Sequence, residues 1–218
     1  MKPLVVRAHL RGAIMLPEYP IALDALLMAA WARRENLPPL DCRDGAEIAI
    51  PKEAVPLLRS ACGRIYLASE GQYEVEERER RHLVQRFPID EAQALGGPKI
   101  RSIKLSEGRT KHHRSPYEVV HLVGDEMVWF AIGDLDGVRD LVEIIGHLGK
   151  KRSVGTGRVR SWSVEPIEPW EGFPVLRDGR PLRSLPLDWP GLGEHRVEWR
   201  VLAPPYWERF REEPCAVS

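Results

Sequence analysis

Between Gly149 and Trp162 the chain reads GKKRSVGTGRVRSW. Five cations (Lys150, Lys151, Arg152, Arg158, Arg160) and three glycines (Gly149, Gly155, Gly157) share these fourteen residues with no acid among them. Clustered Lys and Arg supply the charge that phosphates attract. Glycine tolerates positive φ and lets backbone N–H groups approach an anion closely. With Ser153 in the same run, the chemistry on offer is the binding of a phosphate backbone. It is not the phosphate loop of a nucleotide-binding site, because the glycine–lysine–serine order of that motif is absent and the run follows a helix-periodic segment, not a strand. The plain structural alternative is a helix terminus, with Gly149 as the residue after the C-cap and Lys150, Lys151 and Arg152 complementing the helix dipole. Five cations and three glycines exceed what a terminus needs, so anion binding is the favoured reading.

A second basic stretch runs from Lys99 to Arg114. It holds Lys99, Arg101, Lys104, Arg109, Lys111 and Arg114 against one acid, Glu107. Its adjacent histidines, His112 and His113, titrate near neutrality and are the sequence's candidates for general acid–base cleavage of RNA. The alternative reading makes them two more polar contacts in an RNA-binding loop, with Tyr117 nearby to stack on a base. The second reading is favoured, since a pair of histidines in a solvated loop has no visible orienting partner. Two local patches matter because the whole chain is neutral, with 32 Lys plus Arg against 32 Asp plus Glu. That balance points to a local anionic ligand instead of general adhesion to polyanions.

Other chemistries have weaker support. Cys42, Cys62 and Cys215 are far apart and form no metal-ligand or disulfide spacing. His9, His121 and His147 are single. Asp134, Asp136, Asp140 and Glu143 suit capping and an exposed helix face as well as a metal, so no metal and no cofactor is expected. The charged N-terminus is not a secretory signal, and no apolar run approaches membrane-spanning length, so a reducing cytoplasm is the expected compartment.

The elements that must position these residues follow from periodicity. Leu4–Leu10 reads as a strand. Ile21–Arg34 reads as a buried helix, with Ala22, Leu26, Ala29, Ala30 and Arg33 at helical spacing and Leu23, Leu27 and Trp31 on an adjoining stripe. Glu47–Ile50 and Arg64–Ala68 are short strand candidates, and Tyr73–Leu83 is read as an exposed strand, with a charged helix as the alternative. Gly96–Pro116 reads as an extended basic loop or hairpin. Tyr117–Val123 and Glu126–Ile132 flank Gly124-Asp125, a hairpin-turn signal. Asp134–Leu148 reads as a helix capped by Asp134 or Asp136, with Leu135, Val138, Leu141, Val142, Ile145 and Leu148 on one stripe. Thr156–Val164 and His195–Leu202 are further strands, and Arg177-Asp178-Gly179-Arg180 is a second turn. Trp162, Trp170, Trp189, Trp199 and Trp207 concentrate toward the C-terminus, where core packing is their default role and a partner's surface the alternative. Four of the strands with the two helices make a βαββαβ ferredoxin-like unit. The expected fold is therefore α+β. The expected organisation is a core over residues 1–165, including a basic insertion at 96–116, and a β-rich C-terminal extension over 166–218 packed on it.

Three segments resemble the CRISPR-associated RAMP superfamily, whose core is ferredoxin-like and RRM-related. They are the opening VVRAHLRGAIMLPEYPIALDALLMAAW, the segment AIGDLDGVRDLVEIIGHLGKKRSVGTGRVRSWSVEP, and the basic insertion GGPKIRSIKLSEGRTKHHRSPY, placed where related subunits carry a thumb-like hairpin. The opening and the glycine-rich loop look most like the small Cas-five-like subunit of type IV effector complexes. That resemblance implies a non-catalytic subunit that caps the 5′ handle of the CRISPR RNA and joins a Cas-seven-like backbone subunit to the large subunit. Target DNA would be met through the assembled complex, and some such complexes work with a DinG-type helicase. The guide would be held by Lys150, Lys151, Arg152, Ser153, Gly155, Gly157, Arg158 and Arg160, and a second contact surface formed by Lys99, Arg101, Lys104, Arg109, Lys111, His112, His113, Arg114 and Tyr117. The alternatives are a metal-independent repeat endoribonuclease using His112 or His113, and a small-molecule enzyme whose cationic loop grips a phosphorylated substrate.

Overall fold

In the computed structural model the described residues are 1–37, 51, 54–85, 113–168, 174–204, 206 and 209–217. The strand candidate Glu47–Ile50 and the basic residues Lys99 to His112 lie outside them. The centre of the fold is β1 (Lys2–Leu10). Its alternation puts Leu4, Val6, Ala8 and Leu10 on one face, all but fully buried. The helix α1 (Leu23–Arg34) follows. It turns Leu23, Leu27, Met28 and Ala30 into the core, while Ala29 on the expected stripe is exposed.

Next come β2 (Val75–Gln85) and β3 (His113–Leu122), which pair antiparallel from Val75↔Leu122 to Gln85↔His113 as a two-stranded ribbon. The exposed strand expected over Tyr73–Leu83 is thus β2. The expected basic loop is shorter than Gly96–Pro116, because His113–Pro116 are ladder residues of β3. Gly124 and Asp125 both adopt positive φ, as the turn signal requires. The strands around them nevertheless part company: β3 pairs with β2, and β4 (Glu126–Gly133) pairs with β1. Apolar burial explains the divergence, since Met127, Trp129 and Ala131 are needed beside Ala8, Val6 and Leu4.

The second helix, α2 (Leu135–Val142), is capped by Asp134, whose carboxylate accepts from the Gly137 N–H at 2.9 Å. It is six residues shorter at its C-terminal end than the stripe to Leu148 suggests. The bonds tighten to i→i−3 at Ile144 and Ile145, and the chain turns away. Ile144, Ile145 and Leu148 still pack on the core, but from a loop. β5 (Val159–Pro166) then pairs with the other edge of β1, giving the antiparallel order β4-β1-β5. Beyond β4 the edge is irregular. Leu57, Ala68 and Gln72 make single bridges to Gly133, Ala131 and Val128, and the Arg64–Ala68 strand candidate belongs to this stretch. Residues of both helices share one core with Val6, Trp129 and Val164, and the Trp129 and Trp162 ring centroids lie 5.7 Å apart.

The C-terminal part contributes a small hairpin, β6 (Leu176–Arg177) and β7 (Arg180–Pro181), turned at Asp178-Gly179 as expected. It also builds a three-stranded sheet of β8 (Leu185–Pro186), β9 (Arg196–Arg200) and β10 (Glu213–Val217) in the order β8-β10-β9. Val175, Leu185, Leu202, Cys215 and Ala216 form its core together with Ile65 from the edge segment. A buried ionic knot ties it to α1. Arg183 donates to Asp24 at 3.3 Å, to the carbonyls of Tyr66, Ala68 and Leu202 at 2.9, 3.0 and 2.7 Å, and to the Tyr206 hydroxyl at 2.9 Å. Tyr206 in turn donates to Asp24 at 2.8 Å. Burial works against the charge of Arg183, but Tyr206, Asp24 and Glu70 outweigh it and hold the guanidinium protonated. The architecture is α+β with mostly strands and two helices, compatible with a ferredoxin-like RAMP fold.

Candidate nucleic-acid interface

The glycine-rich run is a loop laid against the end of β1. Its base is closed by backbone bonds on both sides. Lys150 N–H donates to Met15 O at 2.8 Å, Gly157 N–H to Ala13 O at 2.9 Å, and Leu148 N–H to Gly157 O at 2.7 Å. The Thr156 hydroxyl, buried under the loop, donates to Lys150 O at 2.6 Å. Two of the glycines are demanded by this packing. A Cβ on Gly149 would stand 2.3 Å from Met15 O, and one on Gly157 would stand 2.0 Å from Leu148 O, both at positive φ. Gly157 therefore shapes the loop from beneath. Gly155 lies at the exposed tip with φ +85° and open space around it.

This base pushes the charges outward. Lys150, Lys151, Arg152, Arg158 and Arg160 are all exposed, and Ser153 sits among them in a short 3-10 turn over Arg152–Val154. Among the described residues none of the five cations has a carboxylate partner. Such a cluster repels itself and gains from a polyanion that neutralises it. Arg11, which sequence reasoning missed, belongs to the same surface. It is exposed, unpaired among the described residues, and its N–H donates to Arg158 O at 2.8 Å. Its signal was weak because it lies 147 positions from Arg158 in the chain and only the β1–β5 pairing brings the two together.

The opposite sheet face differs in character. Arg7 is matched there by Glu126 at 3.2 Å and Glu165 at 3.3 Å, and Arg177 lies over the Phe130 ring at 5.2 Å. Its charge is neutralised locally and its aromatic is covered. Among the described residues the uncompensated positive charge therefore lies at the loop end of the sheet and not on this face.

The ribbon carries the second group. Tyr117 is half-buried on β3, opposite Arg81. His113 and Arg114 stand at the far end of β3, opposite Gln85 and Val84. Lys99, Arg101, Lys104, Arg109, Lys111 and His112 are outside the described residues. On the described part, Arg78 pairs with Glu118 at 2.6 Å and Arg81 with Glu79 at 2.6 Å, whereas exposed Arg80 has no carboxylate partner among the described residues. Of the remaining candidates, His9 and His121 are strand residues, and His147 bridges to Arg158. Among the described residues no group of three or more His, Cys, Asp or Glu is placed to hold a metal ion. Also among them, no helix is long and apolar enough to cross a membrane.

An α+β chain with a cationic loop that has no carboxylate partner among the described residues is compatible with a ferredoxin-like RAMP fold. Residues 64–217 match the family described as CRISPR type IV associated protein Csf3, and the chain belongs to that family. It is thus a type IV CRISPR-associated protein. No curated protein matches the chain.

Proposed function

We propose that this protein is the non-catalytic, CRISPR RNA-binding subunit of a type IV effector ribonucleoprotein, acting in the cytoplasm. It caps the 5′ handle of the guide and joins the Cas-seven-like backbone subunit to the large subunit, and it meets target DNA only through the assembled complex. The core is a βαββαβ unit in which the irregular edge at residues 67–72 stands in for the second strand. The ribbon of β2 and β3 is the stem of a thumb-like insertion. The observation that carries this reading is the exposed group Lys150, Lys151, Arg152, Arg158 and Arg160, unpaired among the described residues and held out from the sheet end by a glycine-shaped base.

Filter binding of single-stranded guide RNA at several salt concentrations tests it. Replacing Lys150, Lys151 and Arg152 with Ala is expected to weaken binding and flatten the log–log salt slope by roughly 0.7 for each phosphate left without its cation. An unchanged slope and affinity removes the loop from the interface. The same protein is expected to leave a CRISPR repeat transcript intact in EDTA. Specific cleavage abolished by His112→Ala or His113→Ala would replace this reading with an endoribonuclease.

A further inference from the structure

The C-terminal sheet, in the order β8-β10-β9, ends at β9 on an open edge. Two prolines reveal which way the backbone groups of that edge point, because proline has no N–H to give to a ladder. Pro214 lies opposite Trp199, and Pro186 lies opposite Cys215. Neither proline loses a bond when the odd-numbered residues of β10 bond to β9 and the even-numbered ones to β8. The reverse assignment would cost a ladder bond at each. Arg196, Glu198 and Arg200 therefore direct their N–H and C=O groups to β10, and those of Val197 and Trp199 point outward. Among the described residues no backbone bond to another segment takes them up. Their side chains share one face of the sheet, where Val197 is 56% and Trp199 67% exposed and Pro214 is exposed beside them. β9 has neither a proline nor a bulge, two devices that ordinarily blunt such an edge.

We infer that this edge pairs with the same edge of a second copy of the chain, antiparallel and two-fold symmetric about Val197. The occupant follows from the charge pattern. The segment Glu194–Arg200 reads EHRVEWR. Folded back on a second copy about Val197, it sets Glu194 opposite Arg200 and Arg196 opposite Glu198, with His195 opposite Trp199 and Val197 opposite itself. Every directly opposed charge thus meets its opposite, and the symmetry repeats each pair. Within each chain Arg200 Nε already donates to Glu198 at 3.0 Å, and the pairing extends that contact into a row of alternating charge. An axis one residue later, at Glu198, would oppose Glu198 to itself and Arg196 to Arg200, like charge on like. An axis at Trp199 would draw in Val201 and Leu202, which this chain buries. The backbone agrees with the charges. Val197 and Trp199 turn their N–H and C=O groups outward and His195 continues their parity, so Val197↔Val197 and His195↔Trp199 become the hydrogen-bonded pairs. The two three-stranded sheets join into one, with the exposed Val197 and Trp199 of both copies on a common face. Such an interface is small, and association in the range of about 10–100 μM is expected. The assignment is independent of the RNA-binding reading.

Sedimentation velocity of the ribonuclease-treated chain, from about tenfold below to about tenfold above that affinity, is expected to show a reversible monomer–dimer equilibrium. Val197→Pro removes an outward N–H that the β9–β10 ladder does not use. It is expected to abolish the dimer while circular dichroism stays that of wild type. Trp199→Lys alters only an exposed side chain and serves as the second variant. It is expected to weaken association about tenfold, since the symmetry makes the loss occur twice. The register is read by cross-linking in a chain whose Cys42 and Cys62 are replaced by Ser. Val197→Cys in that chain is expected to form an interchain disulfide on mild oxidation, because a hydrogen-bonded pair on the axis sets its Cα atoms about 5.5 Å apart. Glu198→Cys is expected to cross-link far more slowly. A chain that stays monomeric throughout, or a dimer that both Val197→Pro and Trp199→Lys leave unchanged, overturns the proposal. So does a dimer present only before ribonuclease treatment, which RNA must bridge. A cross-link favoured at Glu198→Cys over Val197→Cys also overturns it, because the charge pairing that selects a second copy would then be absent.

Discussion

Glu70 shows how one residue's surroundings set its behaviour. Burial raises its pKa, against the opposing pull of the Ser184 bonds and of Arg183. The folded state therefore holds a proton that the unfolded chain, titrating at about 4.3, has already released. Its contribution to stability is full below the unfolded pKa and is lost as pH rises through the raised folded value. Glu70→Gln does not titrate. The stability of wild type minus that of Glu70→Gln is therefore expected to fall as pH rises across that window, read from urea midpoints at several pH values. A difference that is flat with pH would mean that Glu70 is as well solvated in the fold as outside it. The loop cations obey the opposite logic: they are exposed and unneutralised among the described residues, so their value lies in binding and not in folding.

At the scale of elements, the β2–β3 ribbon and the core meet at Val119, Val120 and Leu122, which are buried, while its outer part is largely exposed. The pairs from Arg81↔Tyr117 to Gln85↔His113 carry the ladder outward toward residues 86–112. Replacing the stretch from 88 to 110 with a two-residue Asn-Gly turn, which keeps His113–Pro116 in their ladder, is expected to leave circular dichroism and thermal unfolding of the isolated chain nearly unchanged. It is expected to impair assembly with the backbone subunit and guide RNA, seen by size-exclusion chromatography of the coexpressed complex. Normal assembly would remove the basic insertion from the interface, and unfolding would make it part of the core.

For the molecule as a whole, the Asp24–Arg183–Tyr206 knot joins the C-terminal sheet to α1 across 159 positions of sequence. Both charged side chains are essentially inaccessible, at 2% for Arg183 and 0% for Asp24. Removing one partner of a buried pair leaves an uncompensated charge, a loss of roughly 3–5 kcal/mol. Arg183→Met is expected to lower the urea midpoint accordingly. The double variant Arg183→Met with Asp24→Leu is expected to recover part of the loss, since no lone charge remains. A single variant as stable as wild type would show that the two parts hold together without the knot. The family match begins at residue 64, yet β1 and α1 before it form the centre of the sheet and one half of this knot. The matched region therefore depends for its core on the segment that precedes it.

Much of this was legible in the sequence because it is local. Helix α1, strand β2, the positive-φ turns at Gly124-Asp125 and Asp178-Gly179, and the Asp134 cap each follow from side-chain period or backbone preference over a few residues. The cationic loop was legible for the same reason, since its charges and glycines are contiguous. Tertiary structure alone decided what depends on distant partners. Asp24 carries no mark that it will be buried, because its partner Arg183 lies in another part of the chain. The stripe to Leu148 continues a helical pattern, but the chain leaves the helix at Val142 so that Leu148 can bond to Gly157 and close the loop. The Gly124-Asp125 turn formed without its hairpin, because β4 gains more by burying Trp129 beside β1 than by pairing with β3. Periodicity reports which face of a segment is apolar, and only the packed whole determines which other segment covers it.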